Sequence, residues 1–219
     1  MKAIYPVEFD VPHRGLEWLQ WYDEHKVHHP GWDLNKGIGN QDFGNPILCP
    51  VNAEVEYVAP EPTRWNNYNG GLGKFIVLYH PSEGVWTRYA HMESYSVQQN
   101  QEVKIGQQIG TVGNTGTEHV HLHLEGWNQA GYDVQKAHHR RFAYYPSNQT
   151  KAWVQDHYFD VLAWIDEINS RLPVEQQVSK WAKEAQKNMM ALGVTDGTRP
   201  QDTATREEIW VMLDRLNEA

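Results

Sequence analysis

The sequence predicts an α+β fold in which an antiparallel β-sheet core is followed by a small all-α C-terminal domain. Three observations predict it. Short runs rich in Val, Ile, Tyr and Trp recur between residues 47 and 125, with Gly, Asn and Pro between them. From residue 152 onward apolar side chains recur at helical spacing instead. The 219-residue chain is 40% hydrophobic with ten Trp, which is too apolar for a disordered polymer and long enough for one or two domains.

Strands are expected at 53–59, 74–80, 85–91 and 120–125. The loop joining the first two holds Trp65, Asn66, Asn67 and Tyr68 with three glycines. Such loops on a β scaffold commonly line clefts, which makes Trp65 and Tyr68 candidate substrate contacts; a solvated hairpin loop is the equal alternative. Residues 126–150 read as irregular, with the basic run His138-His139-Arg140-Arg141 on a solvated surface. Trp153, Tyr158, Val161, Leu162, Ile165 and Ile168 predict one helix over 152–171, ended before Pro173. A further amphipathic run passes through Trp181, Ala185, Met189 and Leu192 to a capping Gly193. Thr205-Arg206-Glu207-Glu208 then forms a capping box ahead of Ile209, Val211, Met212 and Leu216. The expected organisation is a domain over 1–135, a linker and helix over 136–177, and a helical unit over 178–219.

Charge narrows the function. The net charge of -9 is concentrated in residues 1–135, which carry 8 basic and 16 acidic groups, so a phosphate backbone is repelled and nucleic acid is not an expected partner. The single Cys49 excludes an intrachain disulfide and a cysteine-based zinc cluster, which leaves His and carboxylate as metal donors. Glu8 and Asp10 interrupt the stretch where a secretory signal needs an apolar run, and no run of about 18 apolar residues predicts a membrane span. The expectation is a protein without a signal peptide.

Two segments carry the chemistry. His29-Pro30-Gly31-Trp32-Asp33 sets an imidazole and a carboxylate four positions apart, and Pro-Gly between them argues for an extended segment over a helix. In the strand at 120–125, His119, His121 and His123 point one way while Val120, Leu122 and Leu124 point into the core. One such histidine can ligate a cation while its neighbour reaches the bound water. A catalytic zinc keeps three protein ligands and one open position, and it lowers the pKa of bound water to about 7. His91, in Arg88-Tyr89-Ala90-His91-Met92, is a further imidazole for that site. His13, His25, His28, His80, His138, His139 and His157 are read as ordinary packed or surface residues.

The joint pattern resembles the M23 (LytM/lysostaphin-like) zinc metallopeptidases that cut peptidoglycan peptides. His29-x-x-x-Asp33, Tyr89-Ala90-His91-Met92 and His121-Leu122-His123-Leu124-Glu125 match its three elements. Gly44-Asn45-Pro46-Ile47-Leu48-Cys49-Pro50, Val103-Lys104-Ile105-Gly106-Gln107 and Gly113-Asn114-Thr115-Gly116 fall in register between them. The match spans about residues 28–126. The resemblance implies that His29, Asp33 and His123 hold Zn²⁺. It implies that His91 and His121 flank the water, one as general base and one stabilising the tetrahedral oxyanion, with the two roles left open between them. His119 is a further substrate contact. The family usually has Ala at Cys49 and Gly at Ala53. The span from Gly116 to His121 is about one residue short, which leaves a slip to His119 and His121 open; the Leu122 and Glu125 matches favour the later pair.

The tail, Trp181-Ala182-Lys183 with Gly193-Val194-Thr195-Asp196-Gly197 and Thr205-Arg206-Glu207-Glu208, resembles one S-layer-homology repeat, which implies binding to a bacterial cell-wall polymer. Together these features imply a zinc endopeptidase acting on peptidoglycan stem peptides or cross-bridges, made in a host cytoplasm as a phage endolysin. The alternative is a catalytically inactive LytM-like wall-binding or regulatory protein; such proteins usually lack a metal position, whereas all five candidates are present here. A non-haem iron oxygenase also uses two His and a carboxylate, but usually as His-x-Asp. His-Glu-x-x-His and Cys-x-x-Cys are absent, which excludes a thermolysin-type site and a deaminase.

Overall fold

In a computed structural model, residues 2–10, 15–60, 71–138, 141–172 and 187 are described. Before the central sheet come β1 (Trp21–Tyr22), β2 (Val27–His28), β3 (Gly31–Leu34) and β4 (Pro46–Leu48). The long strands are β5 (Ala53–Val58), β6 (Lys74–His80) and β7 (Val85–Met92), followed by β8 (Ser94–Tyr95), β9 (Glu102–Val103), β10 (Gln108–Thr111) and β11 (Leu122–Trp127). Helices α1 (Gln129–Ala137) and α2 (Lys151–His157), the short β12 (Tyr158–Phe159) and α3 (Val161–Ser170) complete the described elements.

The strands form an antiparallel seven-stranded sheet in the order β12-β11-β7-β6-β5-β9, with β3 also paired to β11. A three-stranded sheet, β4-β10-β8, and the β1-β2 pair lie outside it. All four predicted strands are present within two residues of their expected ends. The second and third follow from β-branched and aromatic runs that bury nearly every position of β6 and β7.

The chain divides into two compact units, Ile4–Ile165 and a second made of Met1–Ala3 with Asp166–Ala219. In the first, Val27, Phe75, Val77, Trp86, Trp127, Tyr132, Phe142, Val154 and Tyr158 form one buried cluster, so residues after the β core pack with it. Burying each large side chain of this kind contributes roughly 1.5–3 kcal/mol. In the second, Ala3 N donates to Asn169 Oδ1 at 2.8 Å and Asn169 Nδ2 donates back to Ala3 O at 3.2 Å. Apart from Lys187, the expected helical unit at 178–219 lies outside the described residues, as do Trp65 and Tyr68.

Two expectations are corrected. Residues 129–137 form α1, where irregular structure is expected from sequence: Asn128 caps it by accepting from Gly131 N at 3.0 Å. Its buried face is Gly131, Tyr132 and Gln135, which leaves little apolar periodicity to read. The single helix expected over 152–171 is instead α2 and α3 separated by β12. Thr150 caps α2, and Asp160 accepts from Leu162 N at 3.0 Å and Ala163 N at 3.1 Å to start a new helix.

Candidate metal centre

Three strands bring the chemistry together. β11 pairs with β3 so that His123 faces Asp33, and with β7 so that His123 faces Ala90, the neighbour of His91. Pairing is regular along β11, but β6 and β7 lose register between Lys74 and Ile76. The extra residue lies in β7, where His91 takes φ +60°. Such a bulge re-aims one side chain, at a cost of roughly 1–2 kcal/mol for a non-glycine in the left-handed region.

Asp33 is the hub. Its Oδ1 lies 2.7 Å from His123 Nδ1, 3.3 Å from His29 Nε2 and 3.6 Å from His121 Nε2. One donor atom each from His29, Asp33 and His123 lies within 4.8 Å of the others. His29 and His123 are buried and Asp33 is half-buried. Two imidazoles and one carboxylate converging in this way suit zinc in both donor type and number. Burial works against charge on Asp33, yet His29 and His123 hold its carboxyl well below the ordinary range.

The remaining imidazoles stand on the other flank. The rings of His91 and His121 are 4.5 Å apart between centroids. His91 Nδ1–H donates to Thr115 O at 2.9 Å, and His121 Nδ1–H donates to His119 O at 3.0 Å. In each neutral ring this leaves Nε2 as a bare acceptor. Burial, with His121 and His123 close by, pushes His91 down to about 3. Burial also lowers His121, opposed by Asp33. Both imidazoles are therefore neutral at pH 7, each with one unprotonated ring nitrogen. The Thr115 carbonyl is held by a tight turn: Gly116 takes φ +77°, and a Cβ there would strike the Gly71 carbonyl.

These groups open into a cleft of about 1120 Å³. His119 lines it but is exposed and, like His121, lies before β11, so of the three expected histidines His123 alone is on the strand. His121 itself only bridges to Gly113 ahead of the strand. The pair around Asp33 is accordingly His121 and His123, without the two-residue slip. Tyr22 and Tyr145, which the sequence does not single out, also line the cleft, as does His25, which reads from sequence as an ordinary packed or surface residue. They come from short or irregular segments that leave no periodic signal. A further omission is a buried chain behind the site: His123 Nε2 lies 2.7 Å from Glu125 Oε1, and Glu125 Oε2 lies 2.6 Å from Arg88 Nη2. Burial opposes charge on His123, but Asp33 and Glu125 outweigh it and raise it to about 9. Burial likewise opposes charge on Glu125, while Arg88 and His123 bring it down to about 2.

A β-sheet that brings imidazoles and a carboxylate together beside one cleft marks a candidate metal-binding domain. The chain belongs to peptidase family M23, whose family model matches residues 28–136. It is 37% identical over 82 residues to lipoprotein NlpD of Yersinia enterocolitica, covering 37% of this chain and 76% of that one. It is 35% identical over 94 residues to the murein hydrolase activator NlpD of Escherichia coli K12, covering 42% of this chain but only 22% of that one. Among solved structures, the catalytic domain of the antimicrobial peptidase lysostaphin from Staphylococcus simulans aligns with a TM-score of 0.45 at 20% identity, over 69% of this chain and 89% of that one.

These names correct one expectation. Lipoprotein NlpD of Yersinia enterocolitica and the lipoprotein YgeR of Escherichia coli K12 are named for lipid attachment, which is at odds with synthesis in a host cytoplasm without a signal peptide. The endolysin reading depended on that origin. Among the described residues, no helix is long and apolar enough to cross a membrane.

Proposed function

We propose that the protein is a zinc-dependent endopeptidase acting on peptide bonds of peptidoglycan. The observation that carries this reading is the complete donor set, His29, Asp33 and His123, with His91 and His121 beside it in one cleft. His29 Nε2, Asp33 Oδ1 and His123 Nδ1 are the atoms that would hold the ion. When bound, zinc would acidify a water and polarise the scissile carbonyl. His91 and His121 present unprotonated Nε2 atoms toward the cleft. One would take the proton of the attacking water at Nε2 and pass it to the leaving amine; the other, after gaining a proton from solvent at its own Nε2, would donate to the developing negative oxygen. His119, Trp65 and Tyr68 are proposed as substrate contacts, and the tail at 178–219 as a contact to a cell-wall polymer.

A second reading is favoured by the relatives' names, one of which is a murein hydrolase activator. Under it the cleft regulates another enzyme and cuts nothing. Zinc content of the purified protein, together with release of free amino groups from purified peptidoglycan, separates the two. Stoichiometric zinc and amino-group release support the endopeptidase; stimulation of a separate murein hydrolase with no amino-group release by this protein alone rejects it.

A further inference from the structure

We propose that Glu125, clamped by Arg88, is a positioning residue for His123, deciding which ring nitrogen is offered to the cation and in what direction. The inference rests on the metal-centre reading above. Glu125 Oε1 lies 2.7 Å from His123 Nε2, so the ring nitrogen turned away from Asp33 is the one that donates to the carboxylate. Nδ1, which here donates to Asp33 Oδ1 at 2.7 Å, is then the nitrogen that a cation would take in place of that proton. Carboxylates in this outer position commonly fix the tautomer and orientation of a metal-bound histidine.

The carboxylate has no freedom to turn. Its second oxygen receives Arg88 Nη2 at 2.6 Å and Trp127 Nε1 at 3.1 Å. Arg88 is in turn fixed from behind, with Nη1 donating to Phe142 O at 2.8 Å and Tyr144 O at 3.2 Å, and its guanidinium carbon 5.0 Å from the Trp127 ring centroid. The register explains the meeting, because Glu125 is the cross-strand partner of Arg88, two positions along β11 from His123. Glu125, Arg88 and Trp127 are all fully buried. A buried ion pair seldom improves on well-packed apolar residues for stability, so folding alone is a weak reason for charge at this place. The third partner, His123, supplies the reason. The segment after α1 thereby reaches the metal centre through two side chains.

The test compares wild type with Glu125→Gln, using chelator competition for zinc affinity, the visible spectrum of the cobalt(II)-substituted protein, and thermal unfolding of both metal-free proteins. The expected result is zinc binding weaker by about 10–100-fold with shifted cobalt bands. Affinity within about twofold of wild type, or weaker binding with an unchanged cobalt spectrum, overturns the positioning role. A wild type that binds no zinc rejects the metal-centre reading itself and is thereby distinguished. If Glu125→Gln does not fold, the imidazole nitrogen resonances of zinc-loaded wild type decide. A protonated Nε2 with metal on Nδ1 at His123 supports the proposal, and the opposite assignment overturns it.

Discussion

Asp33 and His123 are 90 positions apart in sequence, yet they are direct cross-strand partners, with Oδ1 and Nδ1 2.7 Å apart. Removing either would remove a proposed zinc ligand, whereas His91 and His121 stand beside the donor set. His123→Ala or Asp33→Ala is expected to yield protein with little zinc. His91→Ala or His121→Ala is expected to retain zinc and to lower turnover by about 10²–10⁴-fold. Metal analysis and amino-group release on the same preparations check this, and full activity in His121→Ala rejects the assignment.

His91 sits at φ +60°, which Asn tolerates better than other side chains. His91→Asn should unfold at a temperature no lower than wild type while losing activity. A marked fall in its unfolding temperature would show that the imidazole contributes packing that outweighs the backbone strain.

His80 is wholly buried, with Nε2 2.8 Å from Thr87 Oγ1 and Nδ1 3.2 Å from Val51 O. Burial lowers it to about 4 from an ordinary 6.5. The unfolded chain therefore binds the proton more readily. This stability is complete above pH 6.5 and is lost as pH falls toward 4, by at most about 3 kcal/mol. Urea unfolding at pH 7.5 and pH 4.5 should show the advantage of wild type over His80→Gln shrinking in acid.

Zinc ligation needs deprotonated imidazoles, so protons compete with the metal. Zinc and activity should be lost together below about pH 6 and return on neutralisation. Unchanged zinc content at pH 4.5 contradicts the proposed ligand set.

Asp160 Oδ1 accepts from Leu162 N, Ala163 N and Trp32 Nε1, the last at 2.8 Å, so it both starts α3 and braces the strand that bears Asp33. Asp160→Ala should cost about 1–3 kcal/mol, and Asp160→Asn less. Denaturant midpoints measure both.

The long strands and the five imidazole and carboxylate candidates were legible because alternation and motif spacing are local signals. Pairing is not local: nothing in 31–34 announces that it lies against 122–125, and the β7 bulge at His91 shows only in the register. Arg88 and Glu125 were quoted within their motifs, yet their meeting depends on the same cross-strand register. In α1 the buried face includes Gly131 and Gln135, so a period read from apolar residues misses it. The break at Asp160 was hidden because apolar spacing continues across both α2 and α3, while the capping carboxylate interrupts the backbone between them.

β11 takes β3 along one edge and β7 along the other. During synthesis, everything upstream can leave the ribosome before the strand that joins these neighbours has been made. Until β11 emerges, the strands bearing Asp33 and His91 have no common partner, so the candidate metal site cannot assemble before residues 122–127 are made.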